Sequence, residues 1–300
     1  MIYTFGSSFT KWYWPTWSDW LELYQGTVTN LGYTGYDVTK TYWEIVNHIH
    51  LINKNDQVYI MWPGNTTLSV WYDSDWIKKH DVAGFFPDSN GQLWYTKDNK
   101  WQGLYKQHPE FHHSFTNLVV HNIQCIFNAQ LLLEKIGCKY TMMFNLNPWV
   151  DVRPSYGKDY HVMWDKLLNV DNVKEANEII KLSPISSMLK LLNTDNFIEV
   201  SDDATDLKSY KGLWEYDIGN KEYVLLKNQN DMHPCSLAHH DYLLEKILGQ
   251  NPLDGKYRDH ALKITEDCHS MEIPKYRKED YIATPEMQLL KFNLKKFTKS

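Results

Sequence analysis

Two stretches near opposite ends of the chain carry side chains that could form a nucleophile and its general base. Gly6-Ser7-Ser8 places a serine hydroxyl in a glycine turn near the start, and Asp231 and His233 lie near the far end. An imidazole titrates near neutral pH and can take the proton of a hydroxyl, while a nearby carboxylate stabilises the imidazolium that results. These residue types indicate acyl transfer at a serine, although a Gly-Ser-Ser turn taken alone is more often structural.

Two other turns contain groups that could stabilise the negative charge of a tetrahedral intermediate. Gly35 follows a predicted strand, where a glycine allows the backbone N–H to approach a ligand closely. Asn65 follows another predicted strand, and its side-chain amide supplies an NH₂ donor. With the backbone N–H of Ser8, these donors would form an oxyanion hole.

Taken together, the four blocks resemble the SGNH, or GDSL-like, hydrolase family. In this resemblance Gly6-Ser7-Ser8 corresponds to the Gly-Asp-Ser block, whose serine is the nucleophile. Gly35 corresponds to the glycine of the oxyanion hole, Asn65 to the asparagine of the Gly-x-Asn block, and His233 to the histidine of the Asp-x-x-His block. A subgroup that begins Gly-x-Ser-Phe-Thr and continues with Trp-Pro-x-Trp is especially similar, since this chain has Trp14-Pro15-Thr16-Trp17.

The chain departs from the family pattern at two places. Ser7 replaces the usual Asp, a change that the similar subgroup tolerates. Asn230 stands three positions before His233, where the family usually has Asp, and Asp231 stands only two positions before it. Two alternatives follow. Either Asp231 orients His233 through a shifted turn, or the site works as a Ser-His dyad with weak support from Asn230.

The predicted elements place these blocks at one edge of a sheet. Apolar or β-branched runs predict strands over 2–5, 27–31 and 58–62, and helical spacing predicts helices over 17–24 and 39–52 between them. This alternation favours a parallel sheet with helices on both faces, whose ligands bind at the carboxyl ends of the strands. Farther along, the pattern predicts a helix over 115–136, a strand over 140–146, a helix over 173–192 interrupted by Pro184, a strand over 223–226 and a helix over 238–248.

The resemblance implies a three-layer α/β/α, flavodoxin-like fold of the SGNH type with a mostly parallel sheet. It covers residues 1–65 and about 222–250. We expect one hydrolase-like domain over 1–250, with an aromatic-rich insertion of irregular backbone at about 66–110. Residues 251–300 have weak periodicity and are predicted to form a C-terminal extension.

Composition narrows the classes of function. The formal net charge of −6 disfavours nucleic acid as a partner. No run of about 18 apolar residues exists, so no membrane span is expected. The N-terminus lacks the basic start and apolar stretch of a signal peptide, which favours a cytoplasmic or virion-associated protein. The four cysteines show no CxxC pair or metal-like spacing, so buried free thiols are favoured over the alternative of one or two disulfides, and no metal site is expected.

As a function, the resemblance implies a serine esterase that needs no metal or organic cofactor. The expected partner is a small ester or an acetylated saccharide, because family members often act on carbohydrate O-acetyl esters and the aromatic insertion offers surface for sugars. Two alternatives stay open. One is acyl transfer to a sugar hydroxyl, and the other is a catalytically impaired binding or structural protein with oligomer or virion contacts.

Overall fold

A computed structural model describes the chain at residues 1–33, 36–64, 67–71, 92–96, 115–148, 178, 181, 183–206, 209–228, 231 and 233–270. Three residues of the predicted site lie outside the described residues, namely Gly35, Asn65 and Asn230. Most of the predicted insertion, the first part of the helix predicted over 173–192, and residues 271–300 lie outside them as well.

The strands within the described residues are β1 (Ile2–Gly6), β2 (Val28–Asn30), β3 (Gln57–Trp62), β4 (Thr67–Trp71), β5 (Gln92–Thr96) and β6 (Lys139–Phe144). Four of these strands are parallel and form the central sheet, in the order β2-β1-β3-β6. From β1 the chain moves outward to β2 and then returns to the opposite side of β1 as β3. The loops that follow β1 and β3 therefore diverge, which opens a crevice at the carboxyl ends of these strands.

Helices connect the strands and continue after the last of them. The described helices are α1 (Trp17–Gln25), α2 (Val38–His48), α3 (Phe115–Ile136), α4 (Ser183–Leu189), α5 (Leu213–Ile218), α6 (Lys221–Leu226), α7 (Ser236–Tyr242) and α8 (Arg258–His269). Side chains cap the first turns of α1 and α2. Asp19 accepts from the Thr16 N–H at 2.9 Å, and Asp37 accepts from the Lys40 N–H at 2.8 Å. Among these helices, none has the length and apolar content that crossing a membrane requires.

Alternate residues of the strands point to opposite faces of the sheet and build two cores. On one face, Phe5, Ile60 and Met142 pack in a cluster with α2, α3 and α4. On the other face, Met61 and Met143 pack in a cluster with α1 and with α5 to α8. The sheet is buried on both sides, which explains why its strands are nearly continuous apolar runs. The predicted α/β class, with a parallel sheet and helices on both faces, is confirmed.

Two predicted features are wrong. The run over 223–226, predicted as a strand, belongs to helix α6, because Asn220 caps the segment by accepting from the Glu222 N–H at 2.9 Å. A four-residue apolar run does not distinguish a strand from a buried helical turn. The insertion was predicted to have an irregular backbone, yet β4 and β5 pair within it as antiparallel strands.

The segment predicted as a C-terminal extension begins with a helix that the sequence pattern did not indicate. Helix α8 buries Ala261, Ile264 and Cys268 in the same core as α7. Apart from these positions and the partly buried Leu262 the helix is polar, so its apolar face is narrow and its periodicity in the sequence is weak.

All four cysteines lie within the described residues and are buried free thiols, as predicted. Burial raises the pKa of Cys125, Cys235 and Cys268 to about 12. Thiols with such pKa values are protonated at neutral pH and are poor nucleophiles.

Candidate active site

The turn that presents Ser8 depends on the glycine that ends β1. Gly6 has φ +153, and a Cβ at this position would lie 2.2 Å from Thr10 Oγ1 and 2.7 Å from the Met61 carbonyl oxygen. The chain then turns tightly, since the backbone N–H of Thr10 donates to the Ser7 carbonyl oxygen at 2.9 Å. Only glycine allows the backbone to fold back this closely over the end of the sheet.

Side chains from the neighbouring strand and helix hold this turn in place. The Thr10 carbonyl oxygen accepts from Asn30 Nδ2 at 2.9 Å and from Thr16 Oγ1 at 2.7 Å. Asn30 Oδ1 accepts in turn from the Gly32 N–H at 2.9 Å. The loop that carries Ser8 is thus bonded both to the end of β2 and to the start of α1.

Ser8, His233 and Asp231 lie in series at the carboxyl end of β1. Ser8 Oγ is 2.8 Å from His233 Nε2, and His233 Nδ1 is 2.5 Å from Asp231 Oδ1. With the imidazole proton on Nδ1, Nε2 is left to accept the proton of the Ser8 hydroxyl. The His233 side chain is 16% exposed, so the imidazole is largely shielded but can still be reached.

The carboxylate of Asp231 is buried, yet it favours its ionised form. Burial would raise its pKa, but the charge of His233 and two hydrogen bonds from that residue, with a smaller effect of Lys227, hold the pKa below its usual value. Lys227 is itself paired with the buried Asp217 at 2.5 Å and lies over the Trp214 ring at 4.6 Å. Asp231 therefore carries a negative charge at neutral pH, which an imidazolium partner requires.

Two hydrogen bonds connect the loop of the serine with the loop of the histidine. Trp14 Nε1 donates to the Pro234 carbonyl oxygen at 2.9 Å, and Ser236 Oγ donates to the Pro15 carbonyl oxygen at 2.9 Å. Both bonds are buried and involve residues beside the proposed base. Trp14 and Pro15 thus align two stretches of chain that are far apart in the sequence.

Aromatic rings enclose the imidazole. The indole of Trp12 stacks on His233 with ring centroids 3.6 Å apart and an interplanar angle of 22°. Phe9 meets the same imidazole at 5.3 Å and 65°. Phe9 in turn stacks against Trp214, with the centroids of these two rings 6.3 Å apart.

Asn145 is a site residue that the sequence analysis missed. It directly follows β6, is buried, and donates from Nδ2 to Ser7 Oγ at 3.4 Å. Its backbone joins two elements, because its N–H donates to the Trp62 carbonyl oxygen at 2.9 Å and its carbonyl oxygen accepts from the Trp214 N–H at 2.8 Å. The predicted strand over 140–146 included this position. If the predicted strand had ended at residue 144, Asn145 would have stood out as a polar residue at the edge of the sheet where ligands bind.

The other two predicted oxyanion donors, Gly35 and Asn65, lie outside the described residues, so their role stays a prediction. The residues just before them do approach the site. The Tyr33 N–H donates to the Gly6 carbonyl oxygen at 3.0 Å. Gly64 packs against Leu146, whose Cδ1 would lie 2.7 Å from a Cβ at the glycine.

No protein-family model, curated protein or solved structure shows significant similarity to this chain. Within the part of the chain that the structure describes, no three His, Cys, Asp or Glu side chains cluster so that they could hold a metal ion.

Proposed function

We propose that this chain is a serine esterase of the SGNH hydrolase type. The observation that carries the proposal is the series of contacts from the Ser8 hydroxyl to the His233 imidazole, at 2.8 Å, and from this imidazole to the Asp231 carboxylate, at 2.5 Å. A serine whose hydroxyl is hydrogen-bonded to an imidazole, which is in turn oriented by a carboxylate, is the arrangement that activates a serine nucleophile.

The reaction divides into two acyl-transfer steps. His233 Nε2 takes the Ser8 proton as Ser8 Oγ bonds to the ester carbonyl carbon, and Asp231 stabilises the imidazolium. The imidazolium then gives its proton to the leaving alkoxide as the ester C–O bond breaks, which leaves an acyl-serine. Water attacks the acyl group in the same way, with His233 as base, and releases the acid.

The tetrahedral intermediates of both steps carry a negative oxygen that needs donors. We assign this role to the backbone N–H groups of Ser8 and Gly35 and to the side chain of Asn65. Removing one such donor typically costs about 10² to 10³ in turnover. The position of Asn145 beside Ser7 supports this edge of the sheet as the polar end of the site.

For the substrate we propose carbohydrate O-acetyl esters. The support is the resemblance of the sequence blocks to a family that often acts on them, together with the aromatic residues of the insertion predicted at about 66–110. Aromatic faces pack well against sugar rings, which have one apolar side.

The test compares hydrolysis of p-nitrophenyl acetate and of an acetylated oligosaccharide by the wild-type protein and by Ser8→Ala. Ser201→Ala, in a surface turn where Ser201 Oγ donates to the Asp203 carbonyl oxygen, is the matched control. We expect turnover to be lost only in Ser8→Ala, and a fluorophosphonate probe to label Ser8 in the other two proteins. Equal background rates in all three would refute the esterase and favour a binding role. Turnover that rises with added sugar acceptor would indicate acyl transfer instead.

A further inference from the structure

The indole of Trp12 covers one face of the His233 imidazole. The two rings are nearly parallel, at 22°, with their centroids 3.6 Å apart. Trp12 is 5% exposed, and its ring is packed against Tyr13 at 4.9 Å and Trp14 at 6.3 Å. The position of the indole is therefore set by the surrounding aromatic residues, and solvent does not separate it from the imidazole.

We propose that Trp12 is a positioning residue whose π face stabilises the protonated imidazole of His233 and so assists the transfer of the Ser8 proton. This inference rests on the proposed role of His233 as the general base. It adds a second source of stabilisation for the imidazolium, on the face of the ring, to the carboxylate of Asp231 at its edge.

The physical reason is the quadrupole of the indole. The face of an aromatic ring is negative, tryptophan has the strongest such face, and a cation held against it is attracted most where water is excluded. A neutral imidazole gains much less from the same contact. Stacking thus favours the charged form, which is the form that develops as the serine attacks.

Other groups near the imidazole act at different positions. Among the described residues, Asp231 faces it from its own loop and Lys227 acts on Asp231 by its charge. Phe9 meets the imidazole at 65° and separates it from His239, whose ring lies 6.4 Å beyond. A change confined to the Trp12 ring therefore leaves the charged neighbours of His233 in place.

The test replaces Trp12 by tryptophans that carry one, two or three fluorine atoms on the six-membered ring, incorporated at this position alone by nonsense suppression. Fluorine weakens the negative face but hardly changes the shape, so the variants should fold. We measure kcat/KM for p-nitrophenyl acetate against pH. We expect the acid limb of the kcat/KM profile to move to lower pH with each added fluorine, by about half a pH unit from wild type to the trifluoro variant. The plateau of kcat should fall severalfold while KM changes little.

The matched control is the same series at Trp17, which is fully buried and contacts Tyr59 rather than His233. These variants should show an unchanged acid limb. An acid limb that does not move at position 12, or that moves equally at position 17, would refute the role of Trp12.

A second measurement does not depend on turnover. The imidazole of His233 is titrated by NMR in histidine-labelled protein, and its resonance is assigned by its loss in His233→Gln. The titration midpoint should fall stepwise with fluorination of Trp12. If the wild-type protein proves inactive, the esterase proposal fails, while this titration still decides whether the indole stabilises the charged imidazole.

Discussion

Asp231 Oδ1 accepts two hydrogen bonds from His233, one from ring Nδ1 at 2.5 Å and one from the backbone N–H at 2.8 Å. The second bond closes a tight turn in which a side-chain oxygen accepts from the N–H two residues later. This turn brings the carboxylate to the Nδ1 edge of the imidazole although Asp231 stands two residues before the histidine. It is the contact that the shifted-turn alternative requires.

We predict that Asp231→Asn lowers kcat for p-nitrophenyl acetate by up to about 10⁴, because the amide lacks the charge that stabilises the imidazolium and the preferred tautomer. Asn230→Ala changes the neighbouring position and serves as the comparison, and it should lower kcat by less than about tenfold. A larger loss in Asn230→Ala than in Asp231→Asn would mean that the carboxylate at 231 does not serve the histidine.

Gly6→Ala should both destabilise the protein and abolish activity, since the new Cβ would lie 2.2 Å from Thr10 Oγ1 and 2.7 Å from the Met61 carbonyl oxygen. We expect a loss of about 3 kcal/mol in the free energy of unfolding, measured by urea denaturation. Gly137→Ala is the control, because Gly137 has φ +76 but open space around it. It should cost about 1 kcal/mol and leave turnover unchanged.

The hydrogen bond from Trp14 Nε1 to the Pro234 carbonyl oxygen is predicted to keep the two catalytic loops aligned. Trp14→Phe should lower the free energy of unfolding by about 2 kcal/mol, through the lost bond and the smaller ring. It should also reduce kcat about tenfold with little change in KM. Ser236→Ala removes the parallel bond to Pro15 without changing the core and should show the same kinetic pattern. Unchanged kcat in both variants would show that the loops need neither bond.

Glu215 should make stability depend on pH. It lies in the first turn of α5, and its carboxylate accepts from the Asn147 and Gly212 N–H groups, both at 2.8 Å. Burial raises its pKa to about 7, against the opposing effect of the backbone hydrogen bonds and with a smaller contribution from the charge of Glu199.

Because this folded pKa lies above the ordinary value of 4.5, the group contributes stability that is fully present below pH 4.5 and is lost as the pH rises through 7. We expect the free energy of unfolding to fall by on the order of 2 kcal/mol between pH 5 and pH 8 from this group. In Glu215→Gln this component should vanish, as urea denaturation at the two pH values would show. A constant difference between wild type and variant at both pH values would contradict the assignment.

Part of the fold could be predicted because its signals are local. The runs that begin at Ile2 and Val58 are almost entirely apolar, since both faces of a central parallel strand are buried, and such runs are visible without knowing the partners. The helix Phe115–Ile136 was predicted with its observed ends, because its apolar residues recur at helical spacing and Gly137 stops it. Helix α6 was predicted wrongly as a strand because it is short, and helix α8 was not predicted because its apolar face is narrow.

By itself, the sequence determined the residue types of the site, the first three parallel strands with the helices between them, and the glycine at position 6 that the nucleophile turn needs. Only the tertiary structure decided that Ser8 lies 2.8 Å from His233, that Trp12 stacks on the imidazole, and that Asn145 reaches Ser7. Contacts between residues so far apart along the chain depend on how the strands pair and on which helices cover each face. These outcomes follow from packing the whole core together and leave no pattern within any short stretch of the sequence.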